Sequence, residues 1–82
     1  MRMSRDKHFS TSDLNLSAVL VANGFPLEYI LKDDLSKATF YFLKSKQLDE
    51  LIDKYWRLEL VIEPHDLFNS LKALKNRMYS EN

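Results

Sequence analysis

Cysteine is absent from this sequence, glycine occurs once and proline twice. Without cysteine there is no disulfide, no thiolate zinc site and no cysteine nucleophile, and the expected setting is a reducing, cytoplasmic one. A single glycine, Gly24, cannot supply the several close backbone approaches of a phosphate-cradling loop or a dinucleotide fingerprint, so no cofactor is expected. The longest apolar stretch, residues 16 to 22 interrupted by Ser17, is far short of the ~20 residues of a membrane span, and no signal-peptide core follows Arg2 and Arg5. An excess of either charge is missing too. Twelve basic and twelve acidic residues cancel, which removes the whole-molecule field that draws basic proteins to nucleic acid or to acidic surfaces.

What remains is the composition of one packed domain. Hydrophobic residues make up 45 % of the chain, and five Phe, four Tyr and one Trp supply side chains of about 150 to 250 Å² each, enough for so short a chain to form a core without staples. Residues 1 to 9 are polar and carry Arg2, Arg5 and Lys7 against Asp6. They are expected to be a flexible basic arm, with a single globular α+β domain over residues 10 to 80. The middle of the chain, residues 45 to 63, is acidic by comparison.

The hydroxyls of Ser10, Thr11 and Ser12 are expected to cap a first helix over residues 14 to 22, apolar on nearly every side and therefore central to the core, which ends at Asn23-Gly24. Alternation from Leu27 to Lys32, a turn over residues 33 to 37 and the strand-favouring run Ala38 to Leu43 predict an antiparallel hairpin. Ser45 caps a second helix with Leu48, Leu51, Ile52 and Tyr55 on its apolar stripe. Residues 58 to 62 are expected to form a short third strand. Pro64 begins the last helix, with Glu63 as its cap and Leu67, Leu71, Leu74 and Met78 as its stripe, widened by Phe68. The fold class is thus α+β in the order α-β-β-α-(β)-α, a small antiparallel sheet against three helices.

The string Thr11-Ser12-Asp13-Leu14 followed by Asn23-Gly24-Phe25, the Phe-bearing hairpin at Phe40 to Phe42, the pair Tyr55-Trp56, and Pro64 with Phe68, Leu71, Lys72, Leu74 and Lys75 resemble a family of small bacterial and phage or mobile-element domains of unknown function. The resemblance covers residues 10 to 80. Two positions depart from it: Arg57-Leu58 stands where that family places an Asn-Gly turn, and Glu63 where it places an Asp cap. The resemblance implies a bacterial or mobile-element source and brings no activity and no catalytic residue.

No catalytic site is expected. Asp49 and Asp53 lie one helical turn apart with Glu50 beside them, but solvated helix faces carry such pairs routinely. His8 and His65 have no zinc spacing, and no elbow motif activates Ser12, Ser17, Ser36 or Ser70. The expected function is noncatalytic contact with a protein partner or a second copy, carried by Tyr41, Trp56 and Arg57 and by an unpaired sheet edge, because interfaces favour aromatics with a polar tip. Tyr55 and Trp56 point about 100° apart, so one of them is expected outside the core. The alternative is nucleic-acid contact through Asn69, Lys72, Lys75 and Asn76 on the last helix, aided by Arg2, Arg5 and Lys7 on the arm.

Overall fold

A computed structural model describes residues 7–32 and 37–80. The chain runs β1 (His8–Thr11), α1 (Leu14–Ala22), β2 (Leu27–Lys32), β3 (Ala38–Leu43), α2 (Lys46–Trp56) and α3 (Pro64–Ser80). The strands form one antiparallel sheet in the order β1-β3-β2. β3 is therefore central, and α1 carries the chain from one edge of the sheet to the other.

The alternation of β3 decides how the layers assemble. Phe40 and Phe42 are fully buried, in one core with Leu16, Ala18 and Leu20 of α1, Ile30 of β2, Leu48 of α2 and Leu74 of α3. All three helices accordingly lie on the face that presents Phe40 and Phe42. Burial of each such side chain is worth about 1.5 to 3 kcal/mol relative to exposure. The neighbouring residues Thr39, Tyr41 and Leu43 point to the opposite face, since successive side chains in a strand alternate. As its all-round apolar sequence requires, α1 is the central helix. Leu16 to Leu20 are buried without a break, and the hydroxyl of the buried Ser17 donates to the Asp13 carbonyl at 3.0 Å.

The α+β class and the small antiparallel sheet under three helices agree with the sequence reading, but the third strand is in a different place. Residues 58 to 62 are an unpaired connector, and the third strand is β1, with His8 opposite Leu43 and Thr11 opposite Phe40. Both edges of β3 are taken by β1 and β2, so the connector has no central edge to join. His8 and Phe9 thus belong to the sheet and not to an arm, Phe9 packing against the core. Arg2 and Arg5 lie outside the described residues, as does the turn at residues 33 to 36.

The capping chemistry differs in the same region. Asp13, not a hydroxyl of residues 10 to 12, caps α1 by accepting from the Leu16 amide at 3.1 Å, while the Asp13 amide donates to Thr11 Oγ1 at 3.0 Å. Ser45 caps α2 and Glu63 caps α3 as expected, accepting from the Leu48 amide at 3.0 Å and the Asp66 amide at 2.8 Å. Phe68 does not widen the α3 stripe. It is 74 % exposed, and buried Ser70 sits on the inner face in its stead.

Candidate interaction surfaces

The connector between α2 and α3 begins with a tight stop. The Glu59 amide donates to the Lys54 carbonyl at 3.0 Å and the Leu58 amide to the Tyr55 carbonyl at 3.1 Å, the paired bonds of a Schellman motif. That motif needs a left-handed residue, and here it is Leu58, with φ of 59°, in place of the usual glycine or asparagine. Leu58 gains no burial in exchange: it is 91 % exposed, Val61 is 94 % exposed and Trp56 62 %. The Arg57 guanidinium is held between the carboxylates of Asp53 and Glu59, 3.4 Å from each.

Tyr55 and Trp56 divide as their 100° separation requires. Tyr55 packs against the core and Trp56 lies outside it, their rings edge to face at 5.0 Å between centroids. Behind the connector an apolar cavity of ≈ 320 Å³ is lined by Val19, Tyr55, Leu58, Leu60, Ile62 and Leu67, with Asn15 at one side. Burial raises the pKa of the Tyr55 phenol above its ordinary value, and the nearby negative charge of Asp13 raises it further. A neutral Tyr55 therefore completes the wall of this cavity.

The second surface is the sheet face turned away from the helices. Tyr29 and Tyr41 are cross-strand partners, and their rings stack at 4.6 Å between centroids with planes 12° apart. The His8 ring meets both edge-on, at 5.5 and 6.2 Å, and its Nε2 lies 3.9 Å from the Glu28 carboxylate. Leu31 and Leu43 flank the cluster, each 52 % exposed. Tyr41 and the Trp56–Arg57 pair are thus on different layers of the molecule, and the structure does not bring them into one site. Tyr29, His8 and Leu58 were not among the residues expected from the sequence to form an interaction surface. The signal for Tyr29 and His8 was the outward parity they share with Tyr41, which could be read only once β1 was recognised as a strand. For Leu58 it was the departure from an Asn-Gly turn.

The sheet edge is less open than the sequence suggested. The Arg77 guanidinium reaches the carbonyls of Leu27 and Glu28 on β2, at 3.4 Å each, where a bulge between Leu27 and Tyr29 breaks the ladder. Both features blunt an edge against pairing with another strand. On α3, Asn69, Lys72, Lys75 and Asn76 are all exposed, and Lys72 and Lys75 border a shallow groove of ≈ 240 Å³ with Phe68 and Leu71. Lys7 is exposed just ahead of β1, its carbonyl accepting from the Lys44 amide at 2.8 Å. Among the described residues, no group of three or more His, Asp or Glu side chains converges in a way that could hold a metal ion. His65 Nδ1 lies 3.4 Å from the Glu63 carboxylate at the surface.

Fold and surfaces together define a small α+β domain with one sheet face that none of the described helices covers and one exposed apolar connector. The chain belongs to the family described as a domain of unknown function (DUF5659), whose model matches residues 6–80. The match begins ahead of β1 and so takes in all three strands. No curated protein and no solved structure matches the chain. Among the described residues, no helix is long and apolar enough to cross a membrane.

Proposed function

We propose that this domain is a noncatalytic accessory protein of a bacterial or phage cytoplasm that acts by docking its α2–α3 connector onto another protein, a second copy of itself being the first partner to test. One observation carries the reading: Trp56, Leu58 and Val61 are exposed within six consecutive residues, and Leu58 holds a left-handed backbone without the burial that would offset it. Exposed apolar side chains so near one another in the chain favour an interaction site, and Trp is among the residue types that most often anchor one. Arg57, paired at the surface with Asp53 and Glu59, supplies a polar rim beside Trp56.

Size-exclusion chromatography with light scattering on nuclease-treated protein, at low and high salt, tests it. The expected result is a salt-resistant dimer that Trp56→Ala converts to monomer. If the wild-type protein is monomeric and also captures no protein through an immobilised wild-type domain that the Trp56→Ala form fails to capture, the reading is wrong. A second reading, nucleic-acid contact along α3, is supported by Lys72 and Lys75 beside exposed Phe68. Salt-sensitive retention on nucleic acid that disappears with Lys72→Glu and Lys75→Glu would favour it.

A further inference from the structure

Asn23 is the one asparagine of this chain that precedes a glycine. An asparagine side chain and the backbone amide that follows it can close a five-membered succinimide ring, and a side chain on the following residue obstructs that closure. Gly24 has none, and no heavy atom lies within 4 Å of where its Cβ would stand. Asn15, Asn69 and Asn76 precede Leu16, Ser70 and Arg77 instead. They also lie within helices, where backbone hydrogen bonds hold the following nitrogen in place. Asn23 and Gly24 are both exposed, so water reaches the pair.

The end of α1 keeps this ring from closing in the folded chain. Closure requires the Gly24 nitrogen to swing toward the Asn23 Cβ, but at ψ of 13° it nearly eclipses the Asn23 nitrogen instead. Hydrogen bonds hold it there. The Gly24 amide donates to the Val21 carbonyl and the Phe25 amide to the Leu20 carbonyl, at 3.0 Å each, while Asn23 Nδ2 donates to the Val19 carbonyl at 2.8 Å. The attacking nitrogen and the side-chain amide it must attack are thus tied to different carbonyls of α1, and both ties have to break before they meet.

We propose that Asn23 is a site of spontaneous deamidation, closed by the hydrogen-bonded stop of α1 and opened when that stop frays. The Gly24 amide gives its proton to a solvent base and its nitrogen forms a bond to Asn23 Cγ, while the Cγ–Nδ2 bond breaks and Nδ2 leaves as ammonia. Water then adds to one of the two ring carbonyls and breaks its bond to the ring nitrogen. Addition at Cγ leaves an aspartyl residue, and addition at the backbone carbonyl leaves an isoaspartyl link with one extra backbone carbon. Neither product can donate to the Val19 carbonyl, since a carboxylate only accepts. Both place a negative charge at the C-terminal end of α1, where the helix dipole disfavours it and the last turn has no basic residue to offset it. Modification therefore loosens the central helix of the core, whatever the connector or α3 binds.

Peptide mapping by mass spectrometry tests the proposal on the full chain, held in mildly alkaline buffer either native in sodium chloride or unfolded in guanidinium chloride of the same ionic strength. In the unfolded chain Asn23 is expected to react first among the asparagines, as a mixture of aspartyl and isoaspartyl forms. In the native chain the same site should react at least about fivefold more slowly, the least that opening two hydrogen bonds implies. Gly24→Ala should slow the reaction severalfold in the unfolded chain, where its effect on folding plays no part. Asn23→Asp, which brings the charge without the ring chemistry, should lower the urea midpoint of unfolding.

A native rate less than about fivefold below the unfolded one overturns protection by the fold. Reaction at Asn69 or Asn76 ahead of Asn23, or an unfolded rate that Gly24→Ala leaves unchanged, overturns the site. An aspartyl product with no isoaspartyl form means direct hydrolysis of the side chain and overturns the ring route. An Asn23→Asp midpoint at or above that of wild type overturns the loosening of α1.

Discussion

Leu58 and Gly24 occupy equivalent positions at the ends of two helices. At the end of α1 the Phe25 amide donates to the Leu20 carbonyl and the Gly24 amide to the Val21 carbonyl, at 3.0 Å each, with Gly24 at φ of 92°. The end of α2 repeats these bonds around a leucine. A left-handed conformation costs an L-residue about 1 to 2 kcal/mol, and glycine returns about 0.5 to 1 of that as unfolded-state entropy. Leu58→Gly is therefore expected to stabilise the domain by about 0.5 to 1 kcal/mol, and Gly24→Ala to destabilise it by about 1 kcal/mol. No heavy atom lies within 4 Å of where a Cβ at Gly24 would stand, so the whole cost there is backbone strain. Urea unfolding of the two variants checks both signs, and a Leu58→Gly protein less stable than wild type would mean that the leucine makes contacts which outweigh its strain.

Tyr55 sets a pH dependence at the same scale. Its pKa in the folded protein lies above the ordinary 10.0, so between the unfolded and folded values the native state holds a proton that the unfolded chain has released. Stability from this group is complete below about pH 10 and declines as pH rises through the folded value. The stability of Tyr55→Phe should decline less steeply above pH 10, measured as unfolding midpoint against pH.

At the scale of elements, β1 decides whether the first residues are a tail or part of the fold. Residues 8 to 11 contain only two outward and two inward positions, too short an alternation to stand out behind three basic residues. Their strand identity comes from a partner some thirty residues later in the chain. The segment 58 to 62 misled in the opposite direction: Leu60, Val61 and Ile62 have strand composition, but Leu60 and Ile62 line a cavity with Val19 of α1 and Leu67 of α3 instead of a strand edge. By contrast, α1, α2, α3 and the β2–β3 hairpin were legible because each carries its own period and its own stop or cap. The Trp56 surface was legible from the 100° step between adjacent helical residues, whereas the sheet-face cluster needed the register of three strands. Phe9→Ala tests the role of β1. Phe9 is half-buried against the core, and its loss should cost about 2 kcal/mol, below the ~3 to 5 of a fully buried phenylalanine. A change under about 0.5 kcal/mol, the range of a surface substitution, would return this segment to the status of an arm.

Over the whole molecule the zero net charge conceals a separation of sign. Residues 46 to 63 carry Asp49, Asp53, Glu50, Glu59 and Glu63 against Lys46, Lys54 and Arg57, five negative to three positive, a net of −2. The remainder must then total +2, since the chain sums to zero. The apolar connector belongs to the acidic segment, whereas α3 carries Lys72, Lys75 and Arg77 against Asp66. The two surfaces should therefore answer salt in opposite ways. Docking of connectors brings two acidic segments together, so added salt screens a repulsion and self-association should hold or tighten. Binding of nucleic acid to α3 releases counterions, so between about 50 and 300 mM salt it should weaken by at least tenfold. Sedimentation velocity for the first and oligonucleotide anisotropy for the second, run across the same salt series, read both responses. A self-association that salt dissolves would mean that the copies meet through opposite charges and not through Trp56, Leu58 and Val61. A nucleic-acid affinity indifferent to salt would remove Lys72 and Lys75 from the contact.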